Sequence, residues 1–506
     1  MFFILLLLAG AVASTPIHTN SSIVHTTYGD ILGTTSQYRP DIKVFKGIPY
    51  AQPPTGELRW KPPVKPQAWS GTYNATTFSA QCPQDLNMGT GLWTTGSTDQ
   101  SEDCLYMNIW TPSTTPSSPL PVYVWAYGGR FVDGSGDVIT YDGSGLASQD
   151  IITVTFNFRL GPLGFLAHPA LSAESPHNSS GNYGILDIIS AVDWVKSEIA
   201  SFGGDPNRIT IGGQSSGSSC SLDMMYSPLA SGLVSGLSTM ASLNATTLAE
   251  MRSLPVSTLL TTDLLNATIF VNTNFQKVTT FMEPPEWRPV LDGYVLSHTY
   301  GATLRDNTHP NIPILTGNNR DESGASPDPG FTLSTFRSNF STMLLSLGDE
   351  FFTLYPANTT NQTIPSNNAF WDDLGRVSTW KWALDWYAGG ATANIYTYFW
   401  DHAPPVQDLG AFHGSEMYYV FNNLPYNYPN MPWTDTDFEI EKKMVAYWAN
   451  FIKTGNPNGE GLAEWPASGT EKNTMWLGNS FGVGELTNSE ARREFMLEWL
   501  AKSKEW

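Results

Sequence analysis

Ser215 is the serine with glycine two positions before and two positions after it, within the run RITIGGQSSGSS (Arg208–Ser219). Serine becomes a nucleophile at neutral pH only when a base takes its proton, and a carboxylate must hold that base in the right tautomer. Gly213 and Gly217 fit a sharp strand-to-helix turn, where side chains would clash. Such a turn lifts the hydroxyl to a helix N-terminus, where developing negative charge is favoured. The base is sought among eight histidines. In this kind of elbow the chain order is serine, acid, histidine, which removes His18, His25, His168 and His177. His298 and His309 leave no room for a strand and loop bearing the acid. His402 and His413 both follow the apolar run NIYTYFWD, and both stay open on this reasoning, with His413 inside the glycine-flanked GAFHGSE. The run NIPILTG leads into NNRDES and offers Asp321 or Glu322 at a strand's C-terminal end, where catalytic groups gather. The chain shows no Cys/His cluster with metal-ligand spacing, and this chemistry requires neither a metal nor an organic cofactor.

Placing those residues requires a sheet. Apolar, β-branched and aromatic runs predict strands over 121–127, 152–156, 208–211, 312–315 and 395–400. The three- and four-residue apolar spacing of ILDIISAVDWVKSEIASF predicts a helix over 185–202, stopped by Gly203-Gly204. Continuous apolar strands alternating with helices imply an α/β fold with a mostly parallel central sheet covered on both faces. At 506 residues and 41% hydrophobic composition this is one large unit with long excursions over 14–506.

The formal charge of −20 argues against nucleic acid and against an anionic membrane surface. The N-terminal MFFILLLLAGAVASTP reads as a signal peptide over 1–13, too short in its apolar part to span a bilayer. Sequons at Asn20, Asn74, Asn178, Asn244, Asn266, Asn339, Asn358 and Asn361 agree with a secreted glycoprotein. Of three cysteines, Cys82 and Cys104 bracket a polar loop suited to a disulfide, leaving Cys220 as a small buried hydrophobe.

The stretches FKGIPYAQPPTGELRWKPP, SEDCLYMNIW, VWAYGGRF, NFRLGPLGF, GNYGILD, FGGDPNRITIGGQSSG, NNRDES, AFHGSE and YWANFIKTGNPN together resemble the type B carboxylesterase family, which includes cholinesterases and fungal secreted esterases and lipases. The resemblance implies an α/β-hydrolase fold, with Ser215 as nucleophile, Glu322 as acid and His413 as base. It implies an oxyanion hole from the backbone of Gly129, Arg130 and Ser216, the Cys82–Cys104 bridge, and a structural ion pair between Glu102 and Arg159. The function it implies is hydrolysis of small-to-medium carboxylic esters through an acyl-enzyme. The competing readings are an impaired, cholinesterase-like binding or adhesion protein, which all three triad residues argue against, and a lipase, which the polar loop between Cys82 and Cys104 argues against.

Three departures stand out. Arg130 replaces the third glycine of the family's Gly-Gly-Gly-Phe. Gln214 stands where glutamate is commoner. The chain passes from SPLASGLVSGLSTMAS almost directly into LNATTLAEMRSLPV, so that a strand ending in Gln-Ser-Gly and further helical sequence are missing near 238–247.

Overall fold

Buried apolar runs set the centre of the molecule. In the computed structural model, which describes residues 22–84, 99–114, 116–233, 260, 287–322, 325, 327, 330–427 and 431–502, the strands are β1 (Ser22–Thr26), β2 (Gly29–Thr35), β3 (Ile42–Pro49), β4 (Thr72–Asn74), β5 (Tyr106–Pro112), β6 (Leu120–Ala126), β7 (Ile152–Phe156), β8 (Gly204–Gly213), β9 (Ile314–Asn319), β10 (Ile395–Trp400), β11 (Asn473–Leu477) and β12 (Gly482–Glu485). β6, β7 and β10 are buried at every position, as strands covered on both faces must be. The five expected strands are all present.

The principal helices are α1 (Tyr183–Glu198), α2 (Ser216–Tyr226), α3 (Thr360–Ala388), α4 (Asp435–Thr454) and α5 (Glu490–Lys502). α1 stops four residues short of the expected end; a 3₁₀ turn over Ile199–Phe202 completes the apolar face, and Gly203 ends it at φ 90°. α4 opens on a capping box between Thr434 and Asp437 and closes on Gly455 at φ 74°. α1 and α2 pack beside β8, α3 against β9 and β10, and α4 against β6. Among the described residues no helix is long and apolar enough to cross a membrane.

The expected mostly parallel central sheet is present, extended by antiparallel strands at its ends. Its order runs β1-β2-β3-β5-β7-β6-β8, with β4 on β2, and a separate group runs β12-β11-β10-β9. Pairing is parallel in the middle (β7-β6-β8 and β9-β10-β11) and antiparallel towards both outer ends, except that β4 joins β2 in parallel. Among the described residues β8 and β9 are both edges, with no strand between them. The stretch 238–247, where the sequence is short of the family pattern, lies outside the described residues, as do the signal segment 1–13, most of the loop between Cys82 and Cys104, and sequon residues Asn20, Asn244 and Asn266. Asn74, Asn178, Asn358 and Asn361 are exposed and Asn339 is half-buried.

Cys82 and Cys104 are joined in a disulfide, and Cys220 is free and buried. With 22 residues of separation, the bridge contributes about 3 kcal/mol by restricting the unfolded chain. The expected Glu102–Arg159 ion pair is absent. Glu102 instead takes Arg59, with Nε at 2.7 Å from Oε2, and Arg159 takes Asp187 on α1, with Nε–Oδ2 at 2.8 Å and Nη2–Oδ1 at 2.7 Å. Arg159 and Asp187 are 3% and 0% exposed, so each charge needs a partner at bidentate range. A carboxylate on the helix packed over Arg159 meets that need; Glu102, already held by Arg59 in the neighbouring loop, does not.

Candidate active site

Ser215 sits at the junction of β8 and α2 with φ 56° and ψ −128°, a conformation that non-glycine residues adopt only under constraint. The constraint is visible at the two flanking glycines. A Cβ on Gly213 would lie 2.4 Å from the Gly217 carbonyl carbon, and one on Gly217 would lie 2.1 Å from the Ala126 oxygen at the end of β6. β6, the turn and α2 therefore close on one another with no room for side chains. The first turn of α2 presents N–H groups that the helix itself leaves unpaired, Ser216 first among them.

The loop after β6 reaches the same point. A Cβ on Gly128 would meet Ser215 Cβ at 2.9 Å, and one on Gly129, whose φ is 126°, would meet Asp133 Oδ1 at 2.0 Å. Arg130 follows at φ 54° and Phe131 at φ 65°. Glycine is thus demanded by space at 128 and 129, whereas position 130 accepts a side chain but in a strained backbone region.

Glu322 and His413 lie on the loops after β9 and β10, brought side by side because those strands pair in parallel. His413 Nδ1 is 2.7 Å from Glu322 Oε2. The two loops are tied by Asp321 N donating to Ala411 O at 3.1 Å and by Ala411 N donating to Asp321 Oδ2 at 2.7 Å. The other acid left open by the sequence is thereby a loop fastener, ion-paired to Arg320. The other histidine, His402, is spent elsewhere: its Nε2 is 3.0 Å from Asp437 Oδ1 and its Nδ1 2.8 Å from Asn479 Oδ1.

Asn319 and Glu416 were not anticipated at this site, and Gln214 was noted only as a departure from the family pattern. The amide of Gln214 lies with Nε2 3.0 Å from His413 Nε2, the ring nitrogen that faces away from Glu322, while its Oε1 is buried without a partner. Among the described residues the Ser215 hydroxyl makes no hydrogen bond. Asn319 donates its backbone N–H to Glu322 Oε1 at 2.7 Å, and its side-chain amide to Phe412 O at 2.8 Å and Glu416 Oε2 at 2.5 Å. Burial pushes the Glu416 carboxyl up to about 7. For His413, burial pulls the imidazolium down, but the hydrogen bond and charge of Glu322, with the charge of Glu416, outweigh it and leave the ring above its ordinary value. Both Asn319 and Glu416 stand inside quoted motifs, NNRDES and AFHGSE. A carboxylate three residues after a candidate base was the available signal.

Ser215, Gln214, Glu322, His413, Gly414 and Glu416 line one cavity of about 260 Å³, just under the roughly 300–1,000 Å³ of drug-sized ligand sites. The arrangement supplies a hydroxyl at a helix start, an imidazole tied to a carboxylate, and close-packed backbone N–H groups.

The profile of the Carboxylesterase family matches residues 20–491. The chain belongs to that family. It is a carboxylic-ester hydrolase with the α/β-hydrolase fold. It is similar to the fumonisin B1 esterase of Sphingopyxis macrogoltabida, 35% identical over 91% of this chain and 87% of the relative. It is also similar to the para-nitrobenzyl esterase of Bacillus subtilis (strain 168), 32% identical over 93% of this chain and 98% of the relative. The human cocaine esterase is 30% identical over 92% and 89%. Among solved structures, a thermophilic PNB esterase superposes with a TM-score of 0.76 at 30% identity, covering 94% of this chain and all of the other.

Proposed function

We propose that this carboxylesterase works as a secreted serine esterase through Ser215, His413 and Glu322. The observation that carries the reading is the 2.7 Å Glu322–His413 bond lining the same cavity as a serine held at φ 56°. Neutral His413 carries its proton on Nδ1 towards Glu322, which leaves the Nε2 lone pair for the Ser215 proton once the Gln214 amide turns aside. Ser215 Oγ bonds to the ester carbonyl carbon, the C–O bond to the alcohol breaks, and His413 returns the proton to the departing alkoxide. Water then repeats the sequence on the acyl-enzyme and releases the acid. Backbone N–H groups of Gly129, Arg130 and Ser216 hold the oxyanion, each donor supplying about 3–4 kcal/mol to the transition state.

The relatives' names mention fumonisin B1, para-nitrobenzyl and cocaine, which share little beyond the ester bond, so the proposal is for small-to-medium esters and not one alcohol. Secretion is supported by the apolar N-terminus, the disulfide and the exposed sequon residues Asn74, Asn178, Asn358 and Asn361. The test is hydrolysis of p-nitrophenyl butyrate by wild type, Ser215→Ala and His413→Ala. Each variant is expected to lose on the order of 10⁶-fold in kcat. Equal rates would reject the reading.

A further inference from the structure

A second group of charges lies where α3 packs over the end of β9. On α3, Asp373 accepts the Tyr355 hydroxyl at 2.8 Å and Arg376 Nη2 at 2.8 Å, and Arg492 of α5 stands 3.6 Å from it. On the loop after β9, Arg320 donates to Asp321 Oδ2 through Nε at 2.9 Å and Nη2 at 2.8 Å, and to the Asp401 carbonyl through Nη1 at 2.7 Å. The Asp401 carboxylate takes the Asn479 N–H at 2.8 Å. Asp372 is the exception. It is half-buried, and its Oδ1 is wholly buried with no hydrogen-bond partner. Four carboxylates, Asp321, Asp372, Asp373 and Asp401, thus face three guanidiniums, Arg320, Arg376 and Arg492. The charges balance when one carboxyl keeps its proton, and an orphaned oxygen is less costly on a neutral group than on a charged one. Burial pushes the Asp372 carboxyl up to about 8; the charges of Asp321 and Asp373 add to the push, while Arg376 and Arg320 oppose it.

We propose that Asp372 is a positioning residue for the triad: while it keeps its proton it leaves Arg320 to Asp321, and when it ionises it draws Arg320 away and loosens the loops that carry Glu322 and His413. The inference rests on the serine-esterase reading above. Asp321 Oδ2, the oxygen that Arg320 holds, also accepts the Ala411 N–H at 2.7 Å, two residues before His413, and Asp321 immediately precedes Glu322. That oxygen sits so close to the base loop that a Cβ on Gly410 would lie 2.2 Å from it. An ionised Asp372 attracts the same guanidinium and repels Asp321, and burial leaves both forces less screened than in water. α3 is tied to β9 by Thr379 Oγ1 donating to Asn318 Oδ1 at 2.6 Å, so the loop is the part that yields. Stability follows the same proton. The folded chain holds it to a higher pH than the unfolded chain, so stability falls as pH rises from the ordinary 3.8 towards about 8 and levels off beyond.

The experiment measures kcat and KM for p-nitrophenyl butyrate across the pH range for wild type, Asp372→Asn and Asp372→Ala, with Ser215→Ala as the blank for spontaneous hydrolysis. In wild type, kcat is expected to fall by on the order of tenfold as pH rises through about 8, a fraction of the 10²-fold that a 1 Å misplacement costs, with KM nearly constant. Neither variant can ionise at 372, so both are expected to lose that fall. Thermal unfolding at acidic and alkaline pH confirms that each variant folds, and the Asn variant is expected to gain on wild type as pH rises. The same alkaline fall in wild type and in both variants, or no fall in wild type, would overturn the role of Asp372 and leave the esterase reading standing. A gain in alkaline stability with an unchanged kcat profile would likewise overturn it, since a purely structural group would do that. No Ser215-dependent hydrolysis at any pH would overturn both readings.

Discussion

His413 Nδ1 lies 2.7 Å from Glu322 Oε2, a bond that joins residues 91 positions apart. In the proposed mechanism it leaves Nε2 as the nitrogen that acts as base, and it sets the sign of the expected pH response. His413 is held above its ordinary value against the pull of burial, chiefly by Glu322 and secondarily by Glu416. A base must be neutral to work, so kcat/KM rises with pH through a midpoint above the ordinary 6.5. Glu322→Gln removes the charge that favours imidazolium. The midpoint should move to lower pH, and kcat should fall by about 10⁴-fold from loss of the tautomer. A pH profile of p-nitrophenyl ester hydrolysis reads both.

Gln214 offers the opposite test. Its amide is 3.0 Å from His413 Nε2. In Gln214→Glu a carboxylate at that distance stabilises the imidazolium, so the acid limb should move up by about one unit or more. Activity near pH 6 should drop roughly tenfold while activity near pH 9 changes little. An acid limb that stays in place would show that the side chain at 214 turns away from the ring in solution.

Asn319 holds the acid and the base loops at once, through Glu322, Phe412 and Glu416. Asn319→Ala keeps the backbone donor to Glu322 but frees the His413 loop. A displacement of about 1 Å costs on the order of 10²-fold, so kcat should fall by that factor while KM for a small ester stays nearly constant. A rise in KM alone would place Asn319 in substrate binding.

Arg130 is the non-glycine residue that the loop holds at φ 54°. Its proposed part in the oxyanion hole is the backbone N–H, which glycine retains. Arg130→Gly relieves roughly 1–2 kcal/mol of left-handed strain and loses part of that gain to a more flexible unfolded chain. Because glycine also loses the interactions of the Arg130 side chain, the variant is read by turnover, and p-nitrophenyl ester hydrolysis should show kcat/KM no lower than that of wild type. A hundredfold loss would mean that the guanidinium itself takes part.

Much of this site was legible because it is local. Glycines around Ser215 report a turn too tight for side chains, and the motifs after β9 and β10 report the ends of parallel strands. Sequence reasoning could not choose between His402 and His413, since the choice depends on which imidazole Asp437 and Asn479 have already taken. The resemblance supplied the choice. The same resemblance misassigned Arg159, because ion-pair partners are set by how helix α1 packs over the strands and not by any spacing along the chain. That a strand is missing near 238–247 was legible; the pairing of the remaining strands was not, because apolar runs announce strands but not which neighbours they find. Asn319 and Glu416 were visible as residue types, but their work is a three-way hydrogen-bond arrangement that only coordinates display.

The most direct measurement is the site of covalent capture. The protein is treated with a fluorophosphonate, and peptide mapping by mass spectrometry is followed alongside residual ester hydrolysis. One adduct, on Ser215, with activity lost in proportion to its occupancy and no adduct in His413→Ala over the same interval, is the expected result. Full modification of Ser215 with hydrolysis undiminished, or an adduct on another residue that tracks the loss of activity, would contradict it.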